Sequence, residues 1–591
     1  MKRLLTGNEA VARGAYEAGV TVASAYPGTP STEILENIAK YKEIYSEWAP
    51  NEKVALEVAI GASIAGARAI AAMKHVGVNV AADPLFTFAY TGVNGGCILV
   101  TADDPGMHSS QNEQDNRYYA KSAKLVMLEP SDSQEAKDFV KLGYEISEMF
   151  DVPILLRLTT RICHSKTLVE LEERQEVEIK EYNKNIAKYV ATPANGRILH
   201  VKLEEKLKKL EEYSNNTPIN KVEFNDKSIG IITSGVAYQY AKEVFGDNAS
   251  YLKLGMTFPL PKQKIREFAE QVDKLYVIEE LEPYLETEIK AMGIDVIGKE
   301  LIPNIGELNP DIIREALLGE KKEIIEMNSE KIVSRPPTMC AGCPHRGLFY
   351  VLSKKKNVVI TGDIGCYTLG SAPPLETMDT CICMGASVSA GHGFSKAFEV
   401  NGKEAKVFGV IGDSTFFHSG ITGLIDIVYN KGNAATIILD NRITGMTGHQ
   451  ENPGTGYTLM GEVTEQIDLV KICEAIGVKH IEVINPLDLE ETEKAIDKAI
   501  NTDEPVVIIT KWPCVLKKSP KEEIEEYGLD QRKICTVESD KCKQCKLCLK
   551  VGCPAISFEE GIGAIIDDTM CVGCDVCLQV CPFNAIVKVG E

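Results

Sequence analysis

Eight cysteines near the end of this 591-residue chain carry the least ambiguous chemistry. Cys542, Cys545 and Cys548 stand with two residues between each and are followed by Cys553-Pro554. Cys571, Cys574 and Cys577 repeat that spacing and are followed by Cys581-Pro582. Soft thiolates in such runs suit iron–sulfur clusters, and the repeated flanks, CPAI and CPFNAI, point to a pseudo-twofold pair. Paired zinc knuckles are the alternative, although zinc has no use for the prolines. A second set of donors lies between Val407 and Gln450. Asp413 and the amide oxygen of Asn441 are hard oxygen ligands suited to Mg²⁺, and Gly412, ahead of Ser414, gives the backbone room beside a diphosphate. An ordinary strand, turn and helix with polar surface residues is the bland alternative. Four more cysteines, Cys340, Cys343, Cys366 and Cys514, are candidates for another metal or cluster site, with zinc or free thiols also open.

The elements that must position these residues follow from the apolar pattern. A strand over Val407 to Ile411 delivers Gly412, Asp413 and Ser414 to its carboxyl end. A strand over Thr436 to Leu439 delivers Asp440 and Asn441 to the same edge, where a parallel α/β sheet binds ligands. Upstream, GVTVASAYPGTPSTEILENIAKY reads as a strand, a Pro/Gly loop, a Ser31 or Thr32 cap and an amphipathic helix. Further strands are expected at Cys97 to Thr101 and Val152 to Leu156, making residues 1–185 an α/β domain. Between them, Asn51 to Ala72 reads as a helix whose small residues suit close backbone packing. Ala102 to Lys121 is a polar loop in which Arg117 and Gln111 either face substrate or are solvated. Residues 186–225 alternate Lys and Glu and read as an exposed helix and linker. Strands in SIGIITSG and KLYVIEE mark a further α/β unit over 226–325. A charged linker near Gly319 to Ser334 precedes a domain over 335–520, and the cysteine-rich region fills 530–591.

Composition narrows the class. With 64 basic and 85 acidic residues the net charge is −21, which argues against nucleic acid as a main partner. Arg68, Lys74 and Asp83 interrupt the most apolar part, so no run reaches the ~18 residues of a membrane span. The opening MKRLLTGNEA lacks an apolar signal core, and a cytoplasmic protein is expected. The 18 cysteines cluster at C-x-x-C spacings in a large chain, which favours metal ligation over disulfides.

Gly412-Asp413-Ser414 followed after 26 residues by Asn441 resembles the G-D-G…N signature of thiamine diphosphate (ThDP) enzymes. Ser414 replaces the last glycine, and Asp440 precedes the asparagine. The resemblance implies Mg²⁺ held by Asp413, Asn441 and the carbonyl of Ile443, with Glu52 hydrogen-bonding the cofactor's aminopyrimidine. Glu57 is a rival by residue type. YPGTPSTE, Tyr26 to Glu33, closely resembles the substrate loop of the 2-oxoacid:ferredoxin oxidoreductases. It implies that Thr29 binds the oxoacid carboxylate, beside Glu52 as the second catalytic residue; a helix-capping role for the loop is the alternative. The C-terminal runs resemble a two-cluster ferredoxin in which the fourth cysteine crosses over. One [4Fe-4S] cluster would then use Cys542, Cys545, Cys548 and Cys581, and the other Cys553, Cys571, Cys574 and Cys577. Cys340, Cys343, Cys366 and Cys514 match in order the proximal cluster that several members carry. Cys381 and Cys383 read as packing residues or reserve ligands. His345, Arg346 and His449 are diphosphate or substrate contacts or structural hydrogen-bonding groups.

In order of parts, and in YPGTPSTE, DDPGMHSSQNEQD, CAGCPHRG and MTGHQENPGTG, the whole chain resembles the large subunits of the indolepyruvate branch of that family. The resemblance implies a multidomain α/β fold. Its parts would be a ThDP pyrimidine domain, a transketolase C-terminal-like α/β domain, a ThDP diphosphate domain and a two-cluster ferredoxin-like α+β domain. It also implies oxidative decarboxylation of indolepyruvate, phenylpyruvate or hydroxyphenylpyruvate with coenzyme A and ferredoxin, giving arylacetyl-CoA. A smaller β subunit bearing the γ-type domain, self-association of the large chain and oxygen sensitivity are implied as well. A sibling acting on pyruvate or branched 2-oxo acids stays open, as does an electron-transfer subunit with an inactive ThDP domain, though Glu52, Asp413 and Asn441 argue against the latter.

Overall fold

CILVTAD and ILLRLT are almost wholly apolar, and such runs must be covered on both faces. In the computed structural model, which describes residues 1–321 and 336–590, they are the central strands of a seven-stranded sheet. The charged linker expected near Gly319 to Ser334 lies largely outside the described residues. The chain divides at Met327/Asn328 into two units.

In the first unit the sheet order is Met256–Phe258, Val126–Leu128, Ile154–Thr159, Cys97–Asp103, Ala69–Lys74, Val22–Ala25 and Tyr45–Trp48. All pairings are parallel except that of the edge strand Met256–Phe258. That strand comes from the segment expected to be a separate domain. Three other strands of that segment, Lys274–Ile278, Ile229–Ser234 and Ser250–Leu254, form a four-stranded sheet with Lys221–Glu223, which lies in the stretch expected to be linker. The segment's Ile232, Leu252 and Phe268 share one core with Leu99 and Met127. The helix expected to be exposed is present as Pro193–Asn216, but Leu199, Leu203 and Leu210 on one face are buried. Its charges occupy the remaining faces, as helix amphipathicity requires.

The second unit holds a wholly parallel six-stranded sheet. Its order is Thr380–Cys381, Val358–Gly362, Lys406–Gly412, Ala435–Asp440, Val506–Lys511 and His480–Ile484. The two strands read from the apolar pattern are neighbours at its centre, so Gly412 and Asp440 end side by side. Beyond it, Cys535–Val537 pairs with Ile586–Lys588, and Ile556–Glu559 with Gly563–Ile566, both antiparallel. The pseudo-twofold is visible in the backbone. Gln544 and Lys546 in the first cysteine run and Gly573 and Asp575 in the second all have left-handed φ, between 53° and 66°. The extra residue of the first run is accommodated by Gly552, also left-handed, after the helical turn Leu547–Val551. Among the described residues no helix is long and apolar enough to cross a membrane.

Candidate functional site

The first unit gathers its polar residues at the carboxyl edge of the sheet. The strand Val22–Ala25 runs into the YPGTPSTE loop, where Ser31 precedes the helix Thr32–Ile38. The Ser31 hydroxyl does not cap that helix; it donates to the Gly28 carbonyl at 2.9 Å. Thr29 is half-buried in this loop. Glu52 opens the helix Glu52–Ile64, capped by Asn51, whose side chain accepts from the Val54 N–H at 2.9 Å. Glu52 is buried, whereas Glu57 is exposed and paired with Lys53 one turn back, which removes the rival from the site.

Two residues that sequence reasoning passed over stand beside Glu52. Gly77 faces it so closely that a Cβ there would lie 2.7 Å from Glu52 Cγ. Lys74 ends its strand with its stem against Gly28, whose added Cβ would stand 3.0 Å from that of Lys74. Lys74 is buried and donates to the Ser109 carbonyl. Burial brings its ammonium down to about 8, against the pull of Asp104 and Glu52. A lysine closing an apolar strand gives no sign in the sequence of what it meets.

The polar loop expected at Ala102 to Lys121 becomes the helix Asn116–Ala123 in its second part. Arg117 does not reach for substrate. It is wholly buried, bonded to Asp115 and Glu279 and to the carbonyls of Glu280 and Glu282. All three nitrogens of the guanidinium are engaged there, tying the two sheets of this unit together. Arg157 joins the same network through Asp103 at 2.7 Å and Glu129 at 2.6 Å. Gln111 is exposed.

In the second unit Gly412 is followed by the helical turn Asp413–Thr415 and a wider turn over Phe416–Gly420. Gly412 has ordinary φ, and what it needs is space: a Cβ would stand 2.7 Å from the Tyr367 ring. Asp413 is buried and accepts from Asn452 Nδ2 at 3.1 Å, a partner in ENPGTG that the sequence did not single out. Burial, with Asp440 alongside, pushes Asp413 up to about 7. Asn441 is held by its own Oδ1, which accepts from Ile443 N–H at 3.2 Å, and its Nδ2 lies 3.4 Å from His345 Nε2. Asp413, Asp440 and Arg442 line a cleft of about 360 Å³. Two carboxyl groups forced together in a buried cleft fit a divalent cation, which would relieve their repulsion. Ser414 and Ile443 are buried beside them.

His345 is buried, which holds its imidazole down to about 4. Arg346 takes a structural role, donating to the carbonyls of Met339, Cys340, Val551 and Gly552. His449 Nε2 lies 3.9 Å from Cys514 Sγ. Cys343 and Cys366 are pushed up to about 12 and 11 mainly by burial. Cys340 and Cys366 act on Cys343, and Cys514 and Cys340 on Cys366. These four thiols therefore share one neighbourhood. Cys381 and Cys383 are exposed, which goes against a packing role and leaves the reserve-ligand alternative untouched.

Cys542, Cys545, Cys548 and Cys581 line one cavity, so three thiols of the first run meet the last of the second. Gly563 stands against Cys542 Sγ, where a Cβ would come to 2.8 Å. Cys553, Cys574 and Cys577 act on one another electrostatically, and Cys571 Sγ accepts from the Cys535 N–H at 3.4 Å. Cys535, outside both runs, was missed because its place comes from strand pairing. Among the described residues no three His, Cys, Asp or Glu converge as on a single ion. A cubane, taking one thiolate per iron, requires no such convergence.

Three family models match. Residues 13–214 fit "Pyruvate flavodoxin/ferredoxin oxidoreductase, thiamine diP-bdg", and residues 363–510 fit "Thiamine pyrophosphate enzyme, C-terminal TPP binding domain". Residues 564–587, the second cysteine run, fit "4Fe-4S binding domain". The chain is 43% identical to indolepyruvate oxidoreductase subunit IorA of Archaeoglobus fulgidus, covering 99% of this chain and 97% of that one. It is 41% identical to the Pyrococcus horikoshii subunit of the same name, over 100% and 97%. The 2-oxoglutarate synthase subunit KorA of Methanothermobacter marburgensis is 25% identical, covering 54% of this chain and 98% of that one.

Proposed function

Because the chain belongs to the family of the indolepyruvate oxidoreductase IorA subunits, a branch of the ThDP-dependent 2-oxoacid oxidoreductases, we propose that it oxidatively decarboxylates aryl pyruvates. The products are arylacetyl-CoA, CO₂ and reduced ferredoxin. The observation that carries the oxidative reading is the crossed cavity of Cys542, Cys545, Cys548 and Cys581. A chain that only released an aldehyde would have no use for two cluster sites.

ThDP, when bound, would supply an electron sink for loss of CO₂, and bound clusters would supply one-electron acceptors. The chain's own residues divide the work. Glu52 would hydrogen-bond the cofactor's aminopyrimidine, and Gly77 keeps the space for its side chain. Asp413, Asn441 and the Ile443 carbonyl would hold Mg²⁺, and Gly412 and Ser414 would receive the diphosphate. Thr29 donates its hydroxyl to the substrate carboxylate. Cys553, Cys571, Cys574 and Cys577 would hold one cluster and Cys542, Cys545, Cys548 and Cys581 the other. Cys340, Cys343, Cys366 and Cys514 would hold a third. Val572, between Cys571 and Cys574, packs on Gly342, between Cys340 and Cys343, where a Cβ would lie 2.0 Å from Val572 Cγ2. This contact would set the third site against the Cys571 run. A smaller β subunit completes the enzyme.

The test is anaerobic, coenzyme-A-dependent reduction of a viologen dye by the chain with its small partner. Indolepyruvate and phenylpyruvate should outpace pyruvate and 2-oxoisovalerate. Preference for the latter pair would move the protein to a sibling specificity. No reduction with any of them, in protein loaded with ThDP and iron, would sink the oxidoreductase reading.

A further inference from the structure

We infer that Lys74 is the cation that receives the carboxylate of the 2-oxo acid, acting with Thr29. The inference rests on the functional reading above and adds a binding residue to it. Lys74 ends the strand Ala69–Lys74 at the ligand-binding edge of the sheet, and its stem lies against Gly28, the residue before Thr29. It is only 9% exposed. An ammonium has three donors, and among the described residues this one meets a single acceptor, the Ser109 carbonyl.

No carboxylate closes on Lys74 within 4 Å among the described residues, although Asp104 and Glu52 act on it from farther away. Asp104 is engaged elsewhere. It accepts from the Ser109 N–H at 2.8 Å and from the hydroxyls of Ser110 and Thr160 at 2.6 and 2.7 Å. A buried cation so poorly partnered is costly unless an anion completes it. The same two carboxylates favour the charged form of Lys74.

Pairing the carboxylate stabilises the substrate equally before and during reaction at its neighbouring carbonyl, so it is binding common to both states. Lys74 should therefore govern KM more than kcat. The test uses the enzyme reconstituted with its small partner, assayed with whichever 2-oxo acid it turns over. 3-Phenylpropionate and 3-phenylpropionamide serve as inhibitors that differ in charge alone. Lys74→Met should raise KM about ten- to a hundredfold with kcat within about threefold, and weaken inhibition by the acid equally. Inhibition by the amide and the ThDP content should stay as in the wild type. Lys74→Gln should behave alike should Lys74→Met fail to fold, and Lys74→Arg should restore most of the acid's binding. An unchanged KM, equal losses for acid and amide, or lowered ThDP content would overturn the role of Lys74. Wild-type enzyme inactive on every 2-oxo acid would instead overturn the functional reading. Calorimetric binding of 3-phenylpropionate to wild type and Lys74→Met would then still decide for or against Lys74.

Discussion

The cysteine segment, residues 535–588, and the strand-edge site of the first unit differ in where their donors come from. In the segment the candidate ligands are the core: Cys535, Cys548 and Cys577 are buried with Ala564 and Ile586, and Cys542, Cys571 and Cys581 pack against them. At the strand edge, Gly28, Glu52, Lys74 and Asp104 come from four separate stretches and sit on a core of Leu99, Met127, Leu155 and their neighbours that needs none of them. A site made of its own core depends on the ligand for its fold. A site laid on an independent core can be altered without unfolding.

Removing iron should separate the two most sharply. Chelation under air should abolish dye reduction and open residues 535–588 to proteolysis, while residues 1–321 stay resistant, because cluster binding adds folding energy to the segment and none to residues 1–321. Mass spectrometry of a limited digest reads both. A segment that stays protected after its iron is gone would show that it folds on aliphatic packing after all.

Next in size is Glu52→Gln. Loss of the carboxylate that would hydrogen-bond the aminopyrimidine should lower kcat by about 10²- to 10⁴-fold, with the melting temperature nearly unchanged. A large drop in melting temperature would mean that Glu52 belongs to the core, and the contrast with the cysteine segment would fail. Gly77→Ala probes the same carboxylate indirectly, since the added Cβ falls 2.7 Å from Glu52 Cγ. About tenfold loss in kcat is expected, smaller than for Glu52→Gln because the carboxylate is displaced and not removed. Thermal scans beside steady-state rates would check both variants.

The same contrast explains what could be read from the chain. The cysteine runs were legible because ligand spacing is local, and Gly552 shows that even the one-residue difference between them is absorbed in a single left-handed turn. The six-stranded sheet was legible at its centre, where apolar runs end in Gly412-Asp413 and Asp440-Asn441. Lys74, Gly77 and Asn452 were not, because each acquires its neighbour only through tertiary packing. Arg117 was misleading for a related reason: a charged residue in an amide-rich stretch looks solvated, yet Asp115 and Glu279 bury it completely. The segment around Met256–Phe258 looked like part of a separate domain because strand exchange between sheets leaves no periodicity of its own.

The smallest expected effect lies in the core of the first unit. Glu280 is buried, which pushes its carboxyl from 4.5 up to about 7 despite the Leu308 N–H and Arg157. The folded chain thus keeps a proton that the unfolded chain releases above about 4.5. Stability from this group is present below that value, declines as pH rises and is lost above about 7. Glu280→Gln retains an acceptor for the Leu308 N–H, now 3.2 Å from Glu280 Oε1, and abolishes the titration. At pH 8 the variant should be more stable by about 1–3 kcal/mol, and near pH 4.5 the two proteins should melt together. Calorimetric scans across that range give the difference directly, and the cluster signal of the cysteine segment should not change with it. A variant equally stable at both pH values would mean that Arg157 and Lys299 keep Glu280 ionised in the fold. The strand-edge site would then rest on a core whose charges are as tightly matched as those of Arg117.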